Sequence, residues 1–107
     1  MGRNEYATRV LRQYRCLPGT CGRILRGDRC LALAFHDRGV ELSIVEDAFV
    51  LAVARRRFRS DPDTLEPIRS LHYLLPLIEE LLNTPPEPGY LRYLRHKLNR
   101  GGVHLEA

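Results

Sequence analysis

Lysine is nearly missing from this chain of 107 residues: of 17 basic side chains, only Lys97 is lysine and the rest are arginine. Arginine presents a planar fork that meets phosphate or carboxylate through two N–H groups, and it stacks on rings better than lysine does. Cysteine is scarce and odd in number, with Cys16, Cys21 and Cys30. An odd set does not close a disulfide framework, so a reducing, cytoplasmic setting is expected. Cys30 and His36 sit six residues apart on one expected helix. That is about 240° round the axis, whereas two ligands on one helix need i, i+3 or i, i+4 spacing. No metal or cofactor is therefore expected, and Cys30 reads as a small core residue.

Long apolar runs are also missing. None approaches the roughly 18–20 residues of a membrane span, and the first ten residues lack the apolar stretch of a secretion signal. No membrane partner is expected. Serine is limited to Ser43, Ser60 and Ser70, none within G-x-S-x-G, and there is no P-loop or G-x-G-x-x-G. Asp37, Glu41, Glu46 and Asp47 bracket a turn without calcium-loop spacing. Asp61, Asp63 and Glu66 with Glu79 and Glu80 match a metal-dependent nuclease only loosely. No catalytic residue is expected, and the chain reads as a non-enzyme.

What remains is an ordinary globular composition, 44% hydrophobic and 28% charged, without repeats or low-complexity segments. The length suits one domain over residues 1–107, with a frayed tail at 101–107. The period is helical throughout, and the expected class is all-α with about five helices. Asn4 is the expected cap of a helix over 5–15, with Val10, Leu11 and Tyr14 on one face. Asp28 is the expected cap of a helix over 28–38, with Leu31, Ala34 and Phe35 on one face and Gly39 as its left-handed end. Ser43-Ile44-Val45-Glu46 has the form of a capping box and is expected to open a helix over 44–58. That helix is apolar nearly all round, as a central buried helix should be. A fourth helix is expected over 68–82, kinked or restarted at Pro76, and a fifth over 88–99 with Leu91, Leu94 and Leu98 inward. Leu74, Leu77 and Leu81 lie beside the stripe of the fourth and predict spare apolar surface.

The Gly39 turn between two helices invites a helix-turn-helix reading. The would-be recognition helix then offers Glu46 and Asp47 first and an apolar run after them, which suits no groove of DNA. The pair reads instead as an αα-hairpin in the core. Charge is more informative. It runs in blocks of +5 over 1–30, −3 over 31–54, +4 over 55–60, −5 over 61–90 and +3 over 91–107. Basic residues interleaved with aromatics suit backbone contact and base stacking. Arg92, Tyr93, Arg95 and Lys97 form one candidate surface. Arg55, Arg56, Arg57 and Arg59 form a second, and Arg69 and His72 a third.

Residues 28–82 resemble the C-terminal domain of DnaD-like primosome proteins of bacterial and phage replication initiators. The resemblance rests on Gly39-Val40 at a helix end, on Val45 with Ala48, and on Ile68-Arg69-Ser70-Leu71-His72-Tyr73. Tyr73-x-x-x-Leu77-x-x-x-Leu81 follows the family's Y-x-x-x-I-x-x-x-W at its first position and conservatively at its second, with Leu81 in place of Trp and Pro76 inside. The resemblance implies a helical accessory module and adds Tyr73 to the DNA-contacting set. The expected function is thus a small nucleic-acid-binding or replication-accessory protein of a phage or mobile element, its partner DNA or RNA. The alternative is a protein-interaction or self-associating helical adaptor.

Overall fold

The computed structural model describes residues 1–59, 65–103 and 105. Among these residues five α-helices follow in order: α1 (Arg3–Arg15), α2 (Arg26–Asp37), α3 (Leu42–Arg57), α4 (Leu75–Asn83) and α5 (Tyr90–Arg100). A 3-10 turn, Leu71–Leu74, leads into α4. Among the described residues the only β pairing is one isolated parallel bridge between Thr20 and Ile68. The all-α class is as expected. No helix among the described residues is long and apolar enough to cross a membrane.

α3 is the centre. Val45 and every residue from Ala48 to Ala54 are buried, so no face is left for water. Its alanines let neighbours approach, and α1, α4, α5 and the 3-10 turn pack round it. α2 buries only Asp28, Ala32 and Phe35, and it packs on α1 and the 3-10 turn instead of lying along α3. The αα-hairpin expected of α2 and α3 is therefore not the packing unit. The narrow stripe of α2 finds its apolar partners on α1, where Tyr6, Ala7 and Val10 are buried.

Gly39 behaves as expected. Its φ of 78° lets the Val40 N–H return to the Phe35 carbonyl at 3.0 Å, and its own N–H reaches the His36 carbonyl at 3.0 Å. The helix starts differ from expectation. α1 begins before Asn4, with Gly2 as its cap, and Asn4 Oδ1 instead accepts from Arg29 at 3.5 Å. α3 begins at Leu42, so Ser43 falls inside the first turn and caps nothing. Its hydroxyl donates to Glu41 at 3.4 Å, while Glu46 accepts from Gln13 of α1 at 3.0 Å. The capping box is lost because half-buried Leu42 joins the core and Glu46 is drawn across to a neighbour.

The fourth expected helix divides. Ile68 is extended and buried in the bridge, its N–H on the Gly19 carbonyl at 2.7 Å. Pro76 sits in the first turn of α4, where its missing N–H is no loss. Leu74 and Leu81 are core residues and Leu77 is half-buried, so these three are mostly taken up by the fold, and the exposed apolar residue of the helix is Leu82. Cys30 is exposed rather than buried. Leu94 and Leu98 are buried as expected. Past α5, Gly102 takes a φ of 85° and the Val103 N–H returns to the Leu98 carbonyl at 2.9 Å. Val103 and Leu105 then pack half-buried against the core, so the chain is not frayed at those positions.

Candidate nucleic-acid interface

α5 runs beside α3 in the same direction. Leu91 shares a groove with Ile44 and Asp47 at one end, and Arg57 donates to the Gly101 carbonyl at 3.3 Å at the other. The C-termini of both helices, each the negative end of a helix dipole, therefore meet. Arg56 donates to the Glu66 carbonyl at 2.7 Å, and its guanidinium carbon lies 5.8 Å from the centre of the Tyr73 ring. Gly19 lies so close that a Cβ there would stand 3.2 Å from Arg56 Nε. Lys97 Nζ sits 4.2 Å from the centre of the Phe58 ring. One point of the molecule thus joins the second and third basic blocks and touches the loop of the first.

The way these cations are held matters. Arg56 and Arg57 anchor on carbonyls and Lys97 on a ring, so none of the three loses its charge to a carboxylate among the described residues. Phe58 and Tyr73 are both 43% exposed, each with a cation at its face. Arg55 differs. It makes a two-pronged pair with Glu80, both contacts at 2.8 Å, and is neutralised there. Their mutual hydrogen bonding raises the Arg55 pKa and lowers that of Glu80.

The other expected residues are dispersed. Arg59 is exposed next to residues 60–64, which include Asp61 and Asp63 and lie outside the described residues. Arg92 and Tyr93 are exposed on α5. Arg95, expected to face out, is half-buried in a small cleft with Gln13, Glu46 and Phe49. It lies close enough to Asp47 to favour that carboxylate, although burial is the larger influence and raises the Asp47 pKa. Arg69 lies apart, in a groove with Cys21, Arg23, Leu25 and Pro67.

His72 belongs to a constellation that sequence reading misses. Asp28, expected to cap α2 from outside, is three residues inside its start and fully buried. Its Oδ2 accepts from the Leu25 N–H at 2.9 Å. Its Oδ1 accepts from the Leu71 N–H at 2.9 Å and from the Ser70 hydroxyl at 3.1 Å. Ser70 Oγ lies 3.0 Å from His72 Nδ1 and accepts from the His72 N–H at 3.1 Å. These are the residue types of a hydrolytic relay in the wrong order. The carboxylate holds the serine instead of the histidine, so nothing fixes the imidazole as a base. What Asp28 does is tie the entry of α2 to the segment before the 3-10 turn. A short-range trace exists, since a carboxylate at this position of a helix caps the preceding N–H. The contacts 42 and 43 residues away leave no local trace.

Tyr14 is fully buried beside this clamp, with no hydrogen-bond partner for its hydroxyl among the described residues. Burial, with Asp28 and Cys21 nearby, pushes its pKa up to about 12. No protein-family model, curated protein or solved structure matches the chain.

Proposed function

We propose that the protein binds the phosphate backbone of a nucleic acid through the joined C-terminal ends of α3 and α5. The observation behind this reading is that Arg56, Arg57 and Lys97 are fixed in place without a carboxylate partner among the described residues, beside two half-exposed rings. Phosphate contact needs unneutralised cations, and pre-ordering them lowers the entropy cost of contact. The exposed Tyr73 and Phe58 offer stacking to unpaired bases. Arg55 is removed from the set by Glu80. The resemblance to DnaD-like modules points the same way, and it makes a replication-accessory role the specific form of the proposal.

The test is a salt series with a labelled oligonucleotide. Binding at ~50 mM salt that weakens steeply as salt rises supports the reading. Removing Lys97 or Arg57 should each lower the log–log salt slope by about 1. Absence of binding at ~50 mM salt overturns it.

A second reading has its own observation. Ile44, Leu81, Leu82 and Leu91, with Pro85, Pro86 and Pro88 between α4 and α5, line an open groove of about 480 Å³ at the opposite end of α3. A helical partner or another copy of the chain would suit such a surface. Sedimentation as a strict monomer at high concentration, with no partner captured, counts against it.

A further inference from the structure

The groove around Arg69 is separate from the interface just described, and its construction is unusual for a surface loop. It measures about 350 Å³ and is lined by Cys21, Arg23, Leu25, Pro67 and Arg69. One wall is the loop between α1 and α2, and the other is the extended segment before the 3-10 turn. The two are tied twice. At one side the bridge joins them, with the Cys21 N–H on the Ile68 carbonyl at 3.0 Å and the Ile68 N–H on the Gly19 carbonyl at 2.7 Å. At the other, buried Asp28 holds the Leu25 N–H of the first wall and the Leu71 N–H of the second, both at 2.9 Å. Between these ties Gly22 takes a φ of 77°, which turns the chain so that Arg23 reaches the same groove as Arg69.

Arg23 and Arg69 both border the groove, whose lining is largely carbon, and no carboxylate among the described residues lines it. Asp28 is not part of the lining: it is fully buried, and both its oxygens accept hydrogen bonds. Leu25 is 46% exposed and Pro67 is exposed, so the floor is apolar. The volume lies in the range of small-molecule sites, roughly 300–1,000 Å³. We propose that this groove binds a small organic anion. Arg23 and Arg69 take its carboxylate or phosphate, and Leu25 and Pro67 take a flat apolar body. The double tie means the site is formed before the ligand arrives. This proposal stands independently of the nucleic-acid reading.

Cys21 in the wall gives a direct readout, with Cys16 and Cys30, also exposed and unpaired, as controls in the same molecule. The experiment is alkylation of the full chain with iodoacetate and, separately, iodoacetamide, scored at each cysteine by peptide mass spectrometry. Taking the ratio of the two rates cancels differences in thiolate fraction. The ratio at Cys21 should exceed that at Cys16 and Cys30 on the order of tenfold, since paired cations concentrate an anionic reagent. The excess should vanish in the double variant Arg23→Gln/Arg69→Gln, whose substitutions are on the surface and leave the fold intact. Millimolar 2-naphthoate should protect Cys21 alone, and neutral 2-naphthamide should not. Equal ratios at the three cysteines overturn the proposal. So does protection of Cys21 by an oligonucleotide but not by naphthoate, which would make the groove part of the nucleic-acid surface.

Discussion

Asp28 and Arg57 carry charge in two regions that use it in opposite ways. Asp28 is fully buried, and its oxygens accept three hydrogen bonds from two separate segments. Arg57 is exposed and holds one carbonyl at 3.3 Å. A buried carboxylate is tolerable only when hydrogen-bonded, and removing it strands every donor that faced it. An exposed cation is already solvated, so removing it costs the fold little. One charge belongs to the fold and the other is available to a ligand. Net charge alone cannot separate them.

The sharpest way to break this contrast is Asp28→Ala. A buried N–H, a part-buried N–H and a hydroxyl lose their acceptor, and the expected loss is about 3–4 kcal/mol by chemical denaturation. A loss below that of an exposed arginine would end the distinction. Leu74→Ala removes a fully buried side chain at the same 3-10 turn, with a cost of about 2–4 kcal/mol. A smaller cost there than at Leu82, which is 41% exposed, would place the core elsewhere.

Next in size is Gly39→Ala. Its φ of 78° disfavours any side chain, although nothing crowds the site, and the expected loss is about 1 kcal/mol. Arg55→Ala breaks an exposed pair and should cost at most about 0.5–1 kcal/mol. That contribution has a predicted pH profile. The Arg55 hydrogen bonds lower the Glu80 pKa beneath its ordinary 4.5. The pair's contribution is therefore fully present above that ordinary value and is lost as pH falls through the lowered one. The stability difference between wild type and Arg55→Ala should shrink over that acid window. A gap that widens there has the wrong sign.

Arg57→Gln should change stability least, within about 0.5 kcal/mol, yet still weaken salt-sensitive oligonucleotide binding. A variant that unfolds the protein would show that the cation serves the fold.

The legible part of the fold followed from periodicity and punctuation. The run from Ala48 to Ala54 demanded burial wherever it was placed, and Gly39 demanded a left-handed end. Both demands come from steric and solvation rules that act within a few residues. The Ser43 box failed because the same local pattern competes with what neighbouring helices offer, and Gln13 took Glu46. Pro76 announced a break but not its form. A 3-10 turn before α4 resolves it, because Ile68 is held extended by Gly19. Within the candidate site, the arginine run was legible as charge. Which of its members pair with a carboxylate was not, since Glu80 and the Glu66 and Gly101 carbonyls arrive from distant sequence.

The amino-acid order by itself determined a five-helix chain with a buried third helix, arginine-rich segments in three blocks, and the helix end at Gly39. These depend on side-chain period, dihedral limits and charge count, all of which are local. Only the tertiary structure decided that Asp28 is a buried clamp, that Arg55 pairs with Glu80 while Arg56 and Arg57 meet no carboxylate among the described residues, and that Arg23 and Arg69 border one groove. The physical reason is that hydrogen-bond partnership and desolvation are set by what packs nearby, and here the partners of Arg56 and Arg57 lie 10 and 44 residues away along the chain.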